Sequence, residues 1–176
     1  MKSVLAKLYL ILIFGVSLFF VFFLLKRILL RFKLQKEFIN LTFRLSQDQT
    51  DLELNMRMAR LYILKEMPIE ALEKYRYCLN NWCKDDQIGL FILLNGIGCI
   101  YLSSKDYETA CDFFETALLI NPNSTQTLSN LSYTYQFQGD LYSLEEVYNK
   151  LIVKAPLEKR TAELKKYLQR RLKKSE

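Results

Sequence analysis

The chain has 176 residues, a net charge of +6 and no histidine, which removes the commonest general base and metal ligand. Its four cysteines include no C-x-x-C pair, so they read as small buried hydrophobes rather than zinc ligands or disulfides, and no cofactor or enzyme activity is expected. The excess positive charge lies in the terminal segments with no aromatic-interleaved basic surface, which argues against nucleic acid as a partner.

Residues 1–36 read as an N-terminal transmembrane anchor with a basic flank. Leu8–Leu25 runs 18 residues without a charge, enough with snorkelling flanks to cross a hydrocarbon core of about 30 Å. No small residues stand between Phe19 and Lys26-Arg27 where a signal peptide would be cut, so an uncleaved, membrane-embedded span (residues 8–25) is expected. Lys26, Arg27, Arg31, Lys33 and Lys36 follow the span, and only Lys2, Lys7 and the amino terminus precede it. The positive-inside rule then puts the remainder on the cytoplasmic side or its topological equivalent. Residues 37–51 read as a linker or a pre-repeat helix.

A repeating register follows. Leu94, Ile97, Gly98, Tyr101, Ala110, Phe114 and Ala117 precede Pro122. Leu128, Leu131, Ser132, Tyr135, Leu144, Tyr148 and Leu151 precede Pro156 at the same offsets, 34 residues later. Gly98 and Ala110 are small where two helices would cross, Tyr101 and Phe114 fill the space between them, and Pro122 ends the second helix. A more degenerate copy, Met58, Ala59, Tyr62, Ala71, Tyr75 and Cys78, starts at Leu52. Thr50-x-x-Glu53 reads as its capping box, Pro68 opens its second helix, and Cys83 stands where the closing proline would be. About five extra residues around Asp85–Gly89 separate this copy from the next. The units are therefore 52–85, 91–124 and 125–158. Ile88–Leu102 carries no charge over 15 residues, too short for a second span and consistent with a buried helix. Residues 159–176 form a basic capping helix and tail, with Ala162, Leu164, Tyr167, Leu168 and Leu172 at helical spacing and charge on the other face. The basic residues of this stretch read as a solvated face, with attraction to an anionic membrane surface as the sharper alternative. Gly96-x-Gly98 lies mid-helix and lacks the rest of a phosphate loop.

The 34-residue period resembles the tetratricopeptide repeat (TPR), a helix–turn–helix unit. The resemblance implies an all-α fold: an N-terminal transmembrane helix followed by an α-α superhelical TPR solenoid of three repeats plus a capping helix. It also implies a concave groove lined by the first helix of each unit. Carried onto this chain, the groove positions are Met56, Arg60 and Ile63, then Asn95, Cys99 and Leu102, then Gln126, Ser129, Tyr133 and Gln136, flanked by Glu53, Leu64, Ile92, Ser103 and Phe137. This lining is apolar and amide-rich with Arg60 its one cation, so an extended or helical segment with apolar anchors is the expected ligand. The whole architecture resembles the plastid- and cyanobacterium-encoded, membrane-anchored TPR proteins implicated in photosystem I assembly. That resemblance implies a single-pass protein of the plastid thylakoid membrane, stroma-facing repeats, and photosystem I subunits or assembly intermediates as protein partners. The alternative is a targeting receptor or a secretion- or assembly-complex scaffold in another organelle or a bacterial inner membrane.

Overall fold

The computed structural model describes residues 2–83 and 85–175, with side-chain environments for 9–10, 12–83 and 85–171. Lys2 and Lys7 ahead of the sequence-read span, Leu8 and Ile11 within it, and Leu172 of the last helix lie outside the described side chains. Among the described residues every element is an α-helix, and the chain divides into two compact units, Met1–Asp48 and Gln49–Glu176.

The first unit is one helix, α1 (Lys2–Gln47), 46 residues without a break. At 1.5 Å per residue it is about 70 Å long. Neither glycine nor proline occurs between Gly15 and Pro68, so the change from apolar to basic composition near Lys26 brings no change in backbone preference. The stretch read as a linker or pre-repeat helix is thus helical up to Gln47. From Leu12 onward α1 is long and apolar enough to cross a membrane, and the side chains of Leu12, Phe14, Phe19, Phe22 and Leu25 are exposed.

Among its described residues the second unit holds seven helices: α2 (Leu52–Leu64), α3 (Pro68–Asn81), α4 (Gln87–Ser103), α5 (Tyr107–Ile120), α6 (Thr125–Gln138), α7 (Leu141–Lys154) and α8 (Lys159–Ser175). Each packs on the next, and α2 also meets α4 and α4 meets α6, so α2, α4 and α6 form a continuous row. The starts are set by local chemistry. Asp51, Asp86, Asp106, Ser124 and Asp140 each accept a hydrogen bond from the backbone N–H three residues on, satisfying one of the orphan donors of a helix start. The cap of α2 is Asp51, bonded by the Leu54 amide at 2.9 Å, one residue later than the Thr50 box suggested by the sequence. Pro68 occupies the first turn of α3, where its missing N–H costs nothing.

The turn inside each helix pair repeats in conformation. Glu66 (φ 60°), Lys105 (φ 63°) and Gly139 (φ 81°) are all left-handed. The next amides, of Met67, Asp106 and Asp140, bond back to the carbonyls of Tyr62, Tyr101 and Tyr135 at 2.9, 3.0 and 3.1 Å. This closes the helix end in the Schellman manner, where glycine is the least strained residue. Glu66→Gly and Lys105→Gly are each expected to stabilise the unit by about 0.5–1 kcal/mol, measured as a rise in the urea midpoint. A lowered midpoint for both would show that their side chains contribute more than the backbone strain costs.

Two apolar clusters form the core. Met56, Ala59, Ala71, Tyr75, Cys78, Leu93, Ile97 and Ile100 join α2, α3 and α4. Ala110, Cys111, Phe114, Leu128, Leu131, Leu144, Val147, Leu151 and Leu164 join α5 to α8. Tyr101 packs on both and stacks on Phe113, with ring centroids 5.6 Å apart. The glycines of α4 mark close approaches: a Cβ at Gly98 would lie 2.7 Å from the Phe114 ring, and one at Gly96 would lie 2.8 Å from Tyr75. The extra residues before the second unit are largely absorbed by a longer first turn of α4, which begins at Gln87. There Trp82 lies so tightly over Gly89 that a Cβ would sit 2.0 Å from the indole, and the Trp82 Nε1–H donates to the Asp86 carbonyl at 3.3 Å.

Candidate protein-binding groove

The row of α2, α4 and α6 presents the positions at which a TPR groove is expected, and the structure sorts them into three groups. On α2, Arg60, Ile63 and Leu64 are exposed, while Met56 is buried in the first core cluster. The reason is the breadth of the buried face of α2, where Leu54, Asn55, Met56, Met58, Ala59 and Leu61 all turn inward. Burial raises the pKa of the Tyr75 hydroxyl, and the positive charge of nearby Arg60 opposes that rise.

Between α4 and α6 the amide and thiol positions are tied to one another. Thr127 Oγ1 donates to Asn95 Oδ1 at 3.1 Å, and Asn130 Nδ2 donates to Cys99 Sγ at 3.3 Å. Both Asn95 and Cys99 are half-buried, as is Leu102, which packs against the second core cluster. Burial pushes the Cys99 thiol up to about 11, Cys78 to about 11 and Cys111 to about 12. Near neutral pH these three are therefore neutral thiols, which hold a place in the packing without nucleophilic character.

On α6 the lining meets another part of the same chain. Arg160, near the start of α8, is buried at 8% exposure. Its guanidinium lies 3.5 Å over the centre of the Tyr133 ring, Nε donates to Ser132 Oγ at 2.8 Å, and a terminal nitrogen donates to Gln136 Oε1 at 2.9 Å. Tyr133 and Gln136 are thus brought together as the seat of α8, whereas Gln126 stays exposed and Ser129 half-buried. Ser132 occupies the place of the repeat glycine, and its hydroxyl does two jobs: it donates to the Ser129 carbonyl at 2.6 Å and accepts from Arg160. Sequence reasoning placed the charges of the last helix on its outer face. Arg160 departs from this because a planar guanidinium can stack on an aromatic ring and bond two neutral acceptors together, which makes its burial tolerable. The signal available in the sequence was Ser132 itself, a hydrogen-bonding residue where the repeat has glycine.

Among the described residues no group of His, Cys, Asp and Glu is placed to hold a metal ion. On the other side of the repeats, a cleft of about 540 Å³ opens between α5, α6 and α7, floored by Leu118, Leu131 and Val147 and edged by Glu115, Glu146 and Lys150.

Residues 91–124 match the family model described as tetratricopeptide repeat. The chain is 33% identical over 92 residues to ycf37 of Guillardia theta, a match covering 52% of each protein. It is 34% identical over 70 residues to photosystem I assembly protein Ycf3 of Synechococcus elongatus, covering 40% of this chain and 39% of that one. The chain spans about half the length or less of the curated relatives it matches. Its fold is shared with the crystal structure of MamA at a TM-score of 0.64 and 17% identity, over 81% of this chain and 88% of the other. With the row of helix pairs and the repeating left-handed turns, the chain thus contains a tetratricopeptide repeat at residues 91–124, is similar over part of its length to ycf37 and Ycf3, and shares its fold with MamA.

Proposed function

We propose that this chain is a membrane-anchored TPR scaffold, without enzymatic activity, that holds photosystem I subunits or assembly intermediates. The observation that carries the reading is the 34% identity over 70 residues to a photosystem I assembly protein, in a chain whose α2, α4 and α6 line up as a continuous row. Stacked repeats of this kind build extended concave surfaces suited to a polypeptide. The apolar helix α1 supports an anchor, its basic flank supports an orientation with the repeats on the cytoplasmic or stromal side, and the similarity to Ycf3 supports a thylakoid placement. We take 52–85, 91–124 and 125–158 as the three units and 159–176 as the cap. The surface offered to a partner is then Arg60 and Ile63 on α2, the Asn95, Cys99 and Leu102 edge of α4, and Gln126 and Ser129 on α6. Tyr133 and Gln136 form its closed end.

Deleting the gene from its host is expected to reduce photosystem I accumulation several-fold, read from the complex's absorbance change and immunoblots. Unchanged accumulation at every light intensity would overturn the reading. A photoreactive residue at Gln126 is expected to crosslink to a photosystem I polypeptide, while the same residue at Gln136 links back to α8.

A further inference from the structure

We infer that the outer face of α8 is a docking surface for an anionic lipid bilayer. Three observations meet on this helix. Its inward face is already used: Leu164 is fully buried, Tyr167 and Leu168 pack against the second core cluster, and Arg160 is pinned between Tyr133, Ser132 and Gln136. The helix therefore cannot roll its apolar side toward a membrane, and its orientation is fixed.

The face left outward is cationic. Lys159, Lys165, Lys166, Arg170 and Arg171 are all exposed. The one acid of the described helix, Glu163, lies beside Lys159 at 3.7 Å and Arg160 at 3.9 Å, so no carboxylate among the described residues pairs with the four cations further along. This contrasts with the repeats themselves: residues 38–157 carry ten Lys/Arg against fifteen Asp/Glu, whereas 158–176 carry eight against three.

The occupant follows from charge complementarity and from α1. A surface of cations with no large apolar side chain exposed among the described residues of α8 recognises a dense plane of negative charge, and an anionic headgroup layer is the plane to which this chain is tethered if α1 spans it. The surface claim rests on the proposed anchor in that respect. Each Lys or Arg held at such a surface contributes about fivefold to partitioning, and the tether supplies the local concentration that makes a few such contacts sufficient. Contact is at headgroup level, so it is screened by salt.

The test is to acylate the lysines of the full chain assembled in lipid nanodiscs and follow each one by mass spectrometry. Lys165 and Lys166 are expected to react at least about fivefold more slowly in phosphatidylglycerol discs than in phosphatidylcholine discs. Exposed Lys150 on α7 serves as the internal reference and is expected to be unchanged. The difference should vanish in about 1 M potassium chloride, where the screening length is about 3 Å. K165E/R170E, which alters only exposed positions, should remove most of the slowing of Lys166. Equal rates in the two lipids would overturn the inference. Slowing by soluble polyglutamate in neutral discs, with none from phosphatidylglycerol, would assign the face to an acidic protein and overturn it as well. Should the chain fail to enter discs, the anchor is at fault. The same comparison with vesicles added from outside then still decides whether α8 binds lipid.

Discussion

Phe114→Ala is expected to lower the unfolding free energy of the repeat unit by about 4 kcal/mol, read from denaturant melts. Phe114 has no exposed surface, and its ring fills the space between α4 and α5 against Gly98. Removing it loses the transfer energy of the ring and leaves a void that helices fixed on both sides cannot close. The same contact can be broken from the other side. Gly98→Ala gains about 0.5–1 kcal/mol of helix preference but puts a methyl 2.7 Å from a ring with nowhere to go, for a net loss of about 1–2 kcal/mol. A ring at that site should resent the methyl and a smaller side chain should accept it. Gly98→Ala with Phe114→Leu is therefore expected to be at least about 1 kcal/mol more stable than the sum of the single changes. Additive losses would mean that Gly98 is glycine for some reason other than Phe114.

Arg160→Ala is expected to cost about 2 kcal/mol, a fall in Tm of roughly 5–8 °C for a unit of this size. The loss combines two hydrogen bonds from a charged donor with the stacking on Tyr133, partly offset because the desolvation cost of burying the guanidinium is removed with it. Arg160→Lys should recover less than half of this, since an ammonium cannot stack on the ring and bond both Ser132 and Gln136 at once. The damage should also be local. Amide exchange in α8 is expected to accelerate far more than in α4, because terminal elements of a repeat stack open without the centre. Uniform acceleration would place Arg160 in the shared core and remove its role as the fastener of the cap.

The parts of this structure that were legible in the sequence are those set by short-range periodicity. Small–large alternation at Gly98, Ala110 and Phe114 and the prolines that end α5 and α7 locate the helix pairs, because the packing of each pair depends on residues close in sequence. Three features were not legible, and each has a physical reason. Arg160 meets Ser132 and Gln136 across 28 and 24 residues, a pairing that depends on how the cap is seated. Met56 occupies a groove position by count, but the wide buried face of α2 turns it into the core. The unbroken α1 was hidden by a change in composition that looked like a boundary, although nothing in the residues there breaks a helix.

The joint between α3 and α4 holds the chain's single tryptophan. Trp82 rests on Gly89 with its indole N–H bonded to Asp86, so its emission reports on one place in the molecule. In a stack whose units touch only their neighbours, that place is where the first pair of helices would part from the rest. Comparing the fluorescence transition with the loss of helical circular dichroism tells whether the solenoid melts as one body or splits at this seam. The protein thus carries its own optical gauge of cooperativity, with no label needed.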